Sequence, residues 1–159
     1  MICEDGELSA LDRKLSGVYA VASKNATNEH PPVLKAEQRG WIKGRNDCWK
    51  SNDKRACVRV GYRRRIAELQ ARYRLVPYNG PFRFICDGNS ANEVIATFFK
   101  TDPSTLIAKR GDSVSLMFVQ PSGSGAKYHG RNETFWEHHG EALITWGYDA
   151  QDMHCKKAL

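Results

Sequence analysis

Ser124 is the first side chain to weigh for chemistry, because Ser122-Gly123-Ser124-Gly125-Ala126 superficially follows the G-x-S-x-G turn that exposes a hydrolase nucleophile. The pattern fails at its first glycine, where Ser122 stands. The flanking residues also read as strand on both sides, whereas that turn passes from strand to helix. His138 and His139 are adjacent, so on a strand they would face opposite sides and could not share a metal ion without a bulge. Asp87, Glu93, Glu137 and Glu141 have the spacing of surface carboxylates, and no two stand out as acid and base. Arg110-Gly111-Asp112 spells an adhesion tripeptide, but between two strand-like runs it reads as a hairpin turn. These arrangements point to no enzyme, no metal site and no cofactor.

The elements that must carry these residues fall into two kinds. Leu8, Leu11, Leu15, Val18, Tyr19 and Ala22 recur at threes and fours, as an amphipathic helix requires. After the breaker Asn28-Glu29-His30-Pro31-Pro32 the spacing returns in Leu34, Gln38, Trp41, Arg45 and Cys48. It returns again in Tyr62, Ile66, Leu69 and Tyr73, after the polar turn Ser51-Asn52-Asp53. Three helices are expected. Val76-Pro77-Tyr78-Asn79-Gly80-Pro81 then reads as a linker or turn. Beyond it the period drops to two: Phe82, Phe84 and Cys86 alternate with Arg83 and Ile85, and Val114, Leu116 and Phe118 with Ser113, Ser115 and Met117. Turn signals at Asp87-Gly88-Asn89, Asp102-Pro103, Arg110-Gly111-Asp112, Pro121-Ser122-Gly123, Gly130-Arg131-Asn132 and His139-Gly140 cut this half into seven or eight short strands, as in an antiparallel sandwich or small closed barrel. The fold class is α+β, with a helical domain over residues 2–76 and a β-domain over 80–159.

Composition limits the setting. With 41% hydrophobic and 26% charged residues in 159, the chain has the makeup of folded domains, and no apolar run approaches the eighteen or so residues of a transmembrane segment. Met1 to Asp5 carry neither the basic nor the apolar region of a secretory signal. The five cysteines, Cys3, Cys48, Cys57, Cys86 and Cys155, form no C-x-x-C pair, so two disulfides and one leftover thiol is the simplest count. That indicates an oxidising compartment such as the periplasm. A Cys48 to Cys57 bridge would pin the second helix to the third for about 2 to 3 kcal/mol, the alternative being two buried thiols. Joining Cys86 to Cys155 would tie the ends of the β-domain for about 4 kcal/mol. The net charge is +6. Residues 1–78 hold 16 basic and 9 acidic side chains and residues 79–159 hold 8 and 9, so the excess is helical. Arg59, Arg63, Arg64, Arg65, Arg72 and Arg74 could meet an anionic envelope polymer or form a solvated helix face; oxidised cysteines argue against a nucleic-acid partner.

Ser124-Gly125-Ala126-Lys127-Tyr128, followed by Phe135-Trp136-Glu137-His138-His139-Gly140-Glu141-Ala142, resembles the MliC/PliC family of c-type lysozyme inhibitors, as do Phe84-Ile85-Cys86 and the late Cys155. The resemblance covers about residues 80 to 159. It implies an eight-stranded antiparallel barrel closed by the Cys86–Cys155 disulfide, and periplasmic or outer-membrane-associated placement in a Gram-negative envelope. The first half is similar to the LprI-type module, also linked to lysozyme inhibition. The matching residues are Ile2-Cys3, Leu8-Ser9-Ala10-Leu11-Asp12, Gln38 to Trp41, Arg45 to Cys48, Cys57 and Tyr62 to Leu69. That pattern places a partner for Cys3 upstream of the first residue here.

In the barrel family the serine of the S-G-x-x-Y loop and a lysine after the tryptophan enter the lysozyme cleft and bond its two catalytic carboxylates. By this resemblance Ser124 carries over directly, Gly123 and Gly125 permit the tight loop, and Tyr128 orders it by ring packing and a hydroxyl hydrogen bond. The lysine is replaced: Glu137-His138-His139-Gly140 follows Trp136, so His138 or His139 substitutes, with Lys127 as a second cation. His138 is favoured by its distance from Trp136. The partner is c-type lysozyme and the chain is its inhibitor, not an enzyme; the other reading is a non-inhibitory module that binds anionic envelope polymer through its basic helices. Because c-type lysozymes are themselves basic, local complementarity must outweigh net charge. An imidazole is cationic only below its ordinary pKa of about 6.5, so inhibition is expected to strengthen as pH falls through that value. Inhibition constants for lysozyme measured between about pH 5.5 and 8 check this, and a flat profile removes histidine from the mechanism.

Overall fold

Asp5 opens the first helix, its carboxylate accepting from the backbone N–H of Glu7 at 3.0 Å and of Leu8 at 3.1 Å. The computed structural model describes residues 2–29 and 32–159, so His30 and Pro31 of the expected breaker lie outside the described residues. The chain divides into two compact units, Met1–Leu75 and Val76–Leu159.

In the first unit, α1 (Gly6–Asn25) buries Leu8, Leu15 and Ala22, a seven-residue spacing that keeps one stripe inward. α2 (Leu34–Asn46) runs into a short 3₁₀ turn (Asp47–Lys50), and α3 (Lys54–Arg72) starts at Asp53, whose side chain accepts from Ala56 N–H at 3.0 Å. α3 is the central element: Val58, Tyr62, Ile66 and Leu69 pack with the α1 stripe, Leu34 and Cys48 in one core. The Cys48–Cys57 disulfide joins the 3₁₀ turn to α3. Polar ties reinforce this. The Tyr62 hydroxyl donates to Asp12 at 2.7 Å and accepts from Arg45 at 2.9 Å, and the Trp41 indole donates to Gly61 O at 3.1 Å. Burial, then the bond to Asp12, raises the Tyr62 pKa.

The start of α2 has no capping side chain of its own at Val33; Glu29 supplies it from four residues upstream. One carboxylate oxygen accepts from Val33 and Leu34 N–H at 3.0 and 3.2 Å, while the other accepts the Tyr73 hydroxyl at 2.5 Å. Glu29 therefore joins the entry of α2 to the end of α3.

The second unit is a closed barrel of eight antiparallel strands in sequence order, as the resemblance implied. They are β1 (Tyr78–Cys86), β2 (Asn89–Phe99), β3 (Thr105–Arg110), β4 (Ser113–Gln120), β5 (Ala126–His129), β6 (Glu133–His138), β7 (Glu141–Trp146) and β8 (Asp152–Lys157). β8 closes on β1 through Phe84↔Lys157, Ile85↔Lys156 and Cys86↔Cys155, the last pair being disulfide-bonded. The interior holds Phe84, Val94, Leu106, Met117, Phe135 and Ile144, with the Phe84 and Phe135 rings edge to face at 5.2 Å.

Two details depart from the sequence reading. Asn79-Gly80-Pro81, expected in a turn, lies inside β1 at a bulge opposite β2; Gly80 has φ +121°, and a Cβ there would sit 2.9 Å from Ala96 O. In β4 the period of two holds, but the inward set is Ser115 and Met117, while Val114 is 52% exposed. Gly130 packs so closely that a Cβ on it would lie 2.6 Å from Ser115 Oγ, which leaves no room for a larger inward side chain there.

The Tyr73 hydroxyl, followed by the two backbone donors, lowers the Glu29 pKa. A depressed folded-state value means the stabilisation is complete above the unfolded value of about 4.3 and is lost as pH falls through the folded one. Glu29→Gln should lower helical-unit stability at neutral pH by about 1 to 2 kcal/mol and reduce the acid-induced loss; thermal unfolding followed by far-UV circular dichroism at about pH 7 and pH 3 checks both.

Candidate functional site

The β4–β5 connection, residues 121–125, is a short exposed turn whose backbone is fastened from two sides. Ser122 Oγ donates to Ser124 O at 2.6 Å and lies 3.3 Å from Ser124 N–H, folding the turn on itself. Across the strand boundary the Trp136 indole on β6 donates to the same Ser124 carbonyl at 2.9 Å. Gly125 then takes φ +65°, and a Cβ on it would meet Glu137 O at 2.3 Å and His138 Cδ2 at 3.1 Å. Only glycine fits, because both the left-handed backbone and the space exclude a side chain.

Ser124 is thus held through its backbone, while its exposed hydroxyl makes no hydrogen bond among the described residues. The bond to a histidine base that activates a serine nucleophile is not among those made there. What the geometry offers is a fixed donor at the tip of a rigid turn.

The other expected site residues divide into three groups. Lys127 pairs with Trp136 across β5 and β6, and its amine lies 5.0 Å from the centre of the indole ring. His138 ends β6 beside the turn, lining with Ser124, Trp136 and Lys156 an open depression of about 410 Å³ on the outside of the barrel. His139 is not on the strand. It occupies the β6–β7 turn with φ +53°, followed by Gly140 at +79°, a pair that suits a two-residue hairpin. Leaving the strand also changes the expected geometry: the two imidazoles do not face opposite sides but meet edge to face at 4.3 Å. Tyr128 points inward, 8% exposed, its ring 5.7 Å from that of Phe98. Burial, and then the charge of Glu137, raises its pKa. The expected hydroxyl hydrogen bond is not among those the described residues make, so Tyr128 anchors β5 by packing.

Several participants had no signal in residue spacing. Ser122 and the Trp136 indole fix the turn, and Glu137 accepts from Gly140 N–H at 3.3 Å, although it read as an ordinary surface carboxylate. His154 and Lys156 reach the same depression from β8, through the β7–β8 pairings Leu143↔His154 and Glu141↔Lys156, whose register residue spacing does not reveal.

With this geometry in view, comparison with known proteins is specific. Residues 84–153 match the family described as membrane-bound lysozyme-inhibitor of c-type lysozyme, MliC. Over 145 residues the chain is 30% identical to the protein named lipoprotein LprI from Mycobacterium tuberculosis, strains H37Rv and CDC 1551, and from Mycobacterium bovis, covering 91% of this chain and 72% of each relative. The chain belongs to the LprI family. The MliC match falls within its β-barrel, and the Ser124 turn lies among the matched residues.

In this LprI-family chain, Gly125→Ala should displace the turn and break the Trp136 to Ser124 contact while leaving the barrel closed. The left-handed backbone alone costs an alanine about 1 to 2 kcal/mol. The indole N–H resonance of Trp136 should shift, with the remaining amide dispersion retained; an unmoved resonance would mean that the turn tolerates a Cβ.

Proposed function

We propose that this chain inhibits c-type lysozyme by seating the Ser124 turn in the active-site cleft, without a covalent step. The observation that carries the reading is the exposed Ser124 hydroxyl, which makes no hydrogen bond among the described residues, on a turn whose backbone is fastened by Ser122 and Trp136. The inhibitor description of the matched family supports it.

A retaining glycosidase places two carboxyl groups about 5 Å apart around the bond it cuts. A hydroxyl can donate to one and a cation to the other, and neither presents a glycosidic bond. Ser124 supplies the first. His138 is the better-placed second group, since its ring borders Gly125 and shares the depression with Ser124; Lys127 stands on the neighbouring strand as a further cation. A fixed turn loses little conformational freedom on binding, which favours affinity. One turn is smaller than the roughly 800 Å² per partner of a stable complex, so the outer face of β6 to β8 shares the contact.

The family description includes the word membrane-bound and the mycobacterial relatives are named lipoproteins, which supports placing the chain at the cell envelope. Among the described residues no helix is long and apolar enough to cross a membrane.

A lysozyme turbidity assay tests the proposal. The whole chain should slow wall lysis, and Ser124→Ala should weaken inhibition by about ten- to a hundredfold, the equivalent of one hydrogen bond to a charged acceptor. An unchanged constant would move the contact to another part of the barrel, and no inhibition by the parent chain would refute the function.

A further inference from the structure

The helical unit carries a groove that the lysozyme reading does not use. Between α1 and α2 lies an open cleft of about 420 Å³, in the size range of small-ligand sites. Its apolar side is formed by Leu15, Tyr19, Trp41 and Ile42, and Ile42 is left 38% exposed. α2 buries only Leu34 among its described residues, so this face of the helix is thinly covered.

Three cations stand at the same cleft against one carboxylate, Asp12, which already accepts the Tyr62 hydroxyl. Arg45 is set in place: it donates to Tyr62 and its guanidinium lies 5.5 and 5.9 Å from the Trp41 and Tyr62 ring centres. Lys35 and Arg39, one helical turn apart on α2, are exposed and form no ion pair among the described residues. Four residues of the sequence pattern of this half, Asp12, Gln38, Trp41 and Arg45, line the cleft. Holding the bundle together explains Asp12, Trp41 and Arg45, but it leaves unexplained Lys35 and Arg39, which form no ion pair among the described residues, beside the half-buried rings of Tyr19 and Trp41.

We propose that this groove binds the peptidoglycan of the cell wall, a polysaccharide whose attached peptides carry carboxylates. The flat, C–H-rich face of a sugar ring suits Tyr19 and Trp41, which offer apolar area with a polar edge. The polymer's carboxylates suit Arg39, whose planar fork can donate in bidentate geometry, with Lys35 as a point charge; Arg45, which already donates to Tyr62 and Asn46 and lies 4.0 Å from Asp12, frames the cleft. Two disulfides place the chain where nucleic acid is scarce, and a concave cleft does not match a membrane surface. Such binding would hold the inhibitor on the polymer that lysozyme attacks, yet it does not depend on the Ser124 turn.

Co-sedimentation of the full chain with insoluble peptidoglycan, and in parallel with chitin, which has no carboxylates, tests the proposal. The chain should pellet with peptidoglycan and not with chitin. Lys35→Glu with Arg39→Glu should weaken binding by about tenfold or more, and Tyr19→Ala should weaken it severalfold, each with an unchanged circular dichroism spectrum. Lys14→Glu with Lys24→Glu, which alters net charge equally outside the cleft, should retain binding. Equal loss in this control would reduce the effect to bulk charge. Equal pelleting with chitin, undiminished binding by the cleft variant, or competition by an acidic polypeptide as effective as that by soluble peptidoglycan fragments would each overturn the proposal. Inhibition of lysozyme on a soluble substrate, read in the same variants, separates this outcome from the fate of the barrel's function.

Discussion

A barrel of short strands has to close on itself, and here the closing seam between β1 and β8 is three residue pairs long. Every other neighbouring pair is joined through one connection along the chain, but β1 and β8 lie at opposite ends of the unit in sequence. Cys86 and Cys155 stand opposite each other at that seam and are bonded, tying a separation of 69 residues. The loop-entropy model gives such a link about 4 kcal/mol, a large share of what a unit this small can gain from its core. The β7–β8 hairpin beside the seam sets His154 and Lys156 near His138.

The Ser124 turn is held by contacts on β6 and within the turn itself. It borrows its shape from neighbours: an indole on β6, a hydroxyl two residues away, and a backbone carbonyl at Glu137 that admits nothing larger than hydrogen at Gly125. Each contact engages backbone and none engages the Ser124 hydroxyl. A binding element made this way is preorganised by the scaffold, so its affinity does not have to offset the ordering of a floppy loop. The helical unit follows another logic, with a polar network around Tyr62 and a disulfide holding three helices that bury little of α2.

Much of this architecture is legible in the sequence because it rests on local rules. Leu8, Leu15 and Ala22 mark one face of α1, and the expected turn signals from Asp87-Gly88 to His139-Gly140 all fall between strands. Local rules fail where a distant neighbour decides. Nothing in the alternation of β4 says that Ser115 and Met117 face inward, where Gly130 packs closely against both. Asn79-Gly80-Pro81 has turn chemistry but is taken into β1 by pairing with β2. Glu29 looks like part of a breaker and acts as the cap of α2 and the partner of Tyr73. At the site, the motif around Ser124 and Trp136 is visible as residues, but the indole-to-carbonyl bond and the depression shared with β8 exist only once the strands are in register.

A barrel that acts by filling the lysozyme cleft must be shut out by a ligand already bound there. The chain is titrated calorimetrically into a c-type lysozyme, first alone and then with the enzyme saturated by a chitin oligosaccharide that occupies its substrate subsites. Occupancy predicts a complex with the free enzyme and loss of the binding heat when the oligosaccharide is present. Equal binding under both conditions would show that the contact lies elsewhere on lysozyme, and would contradict the account.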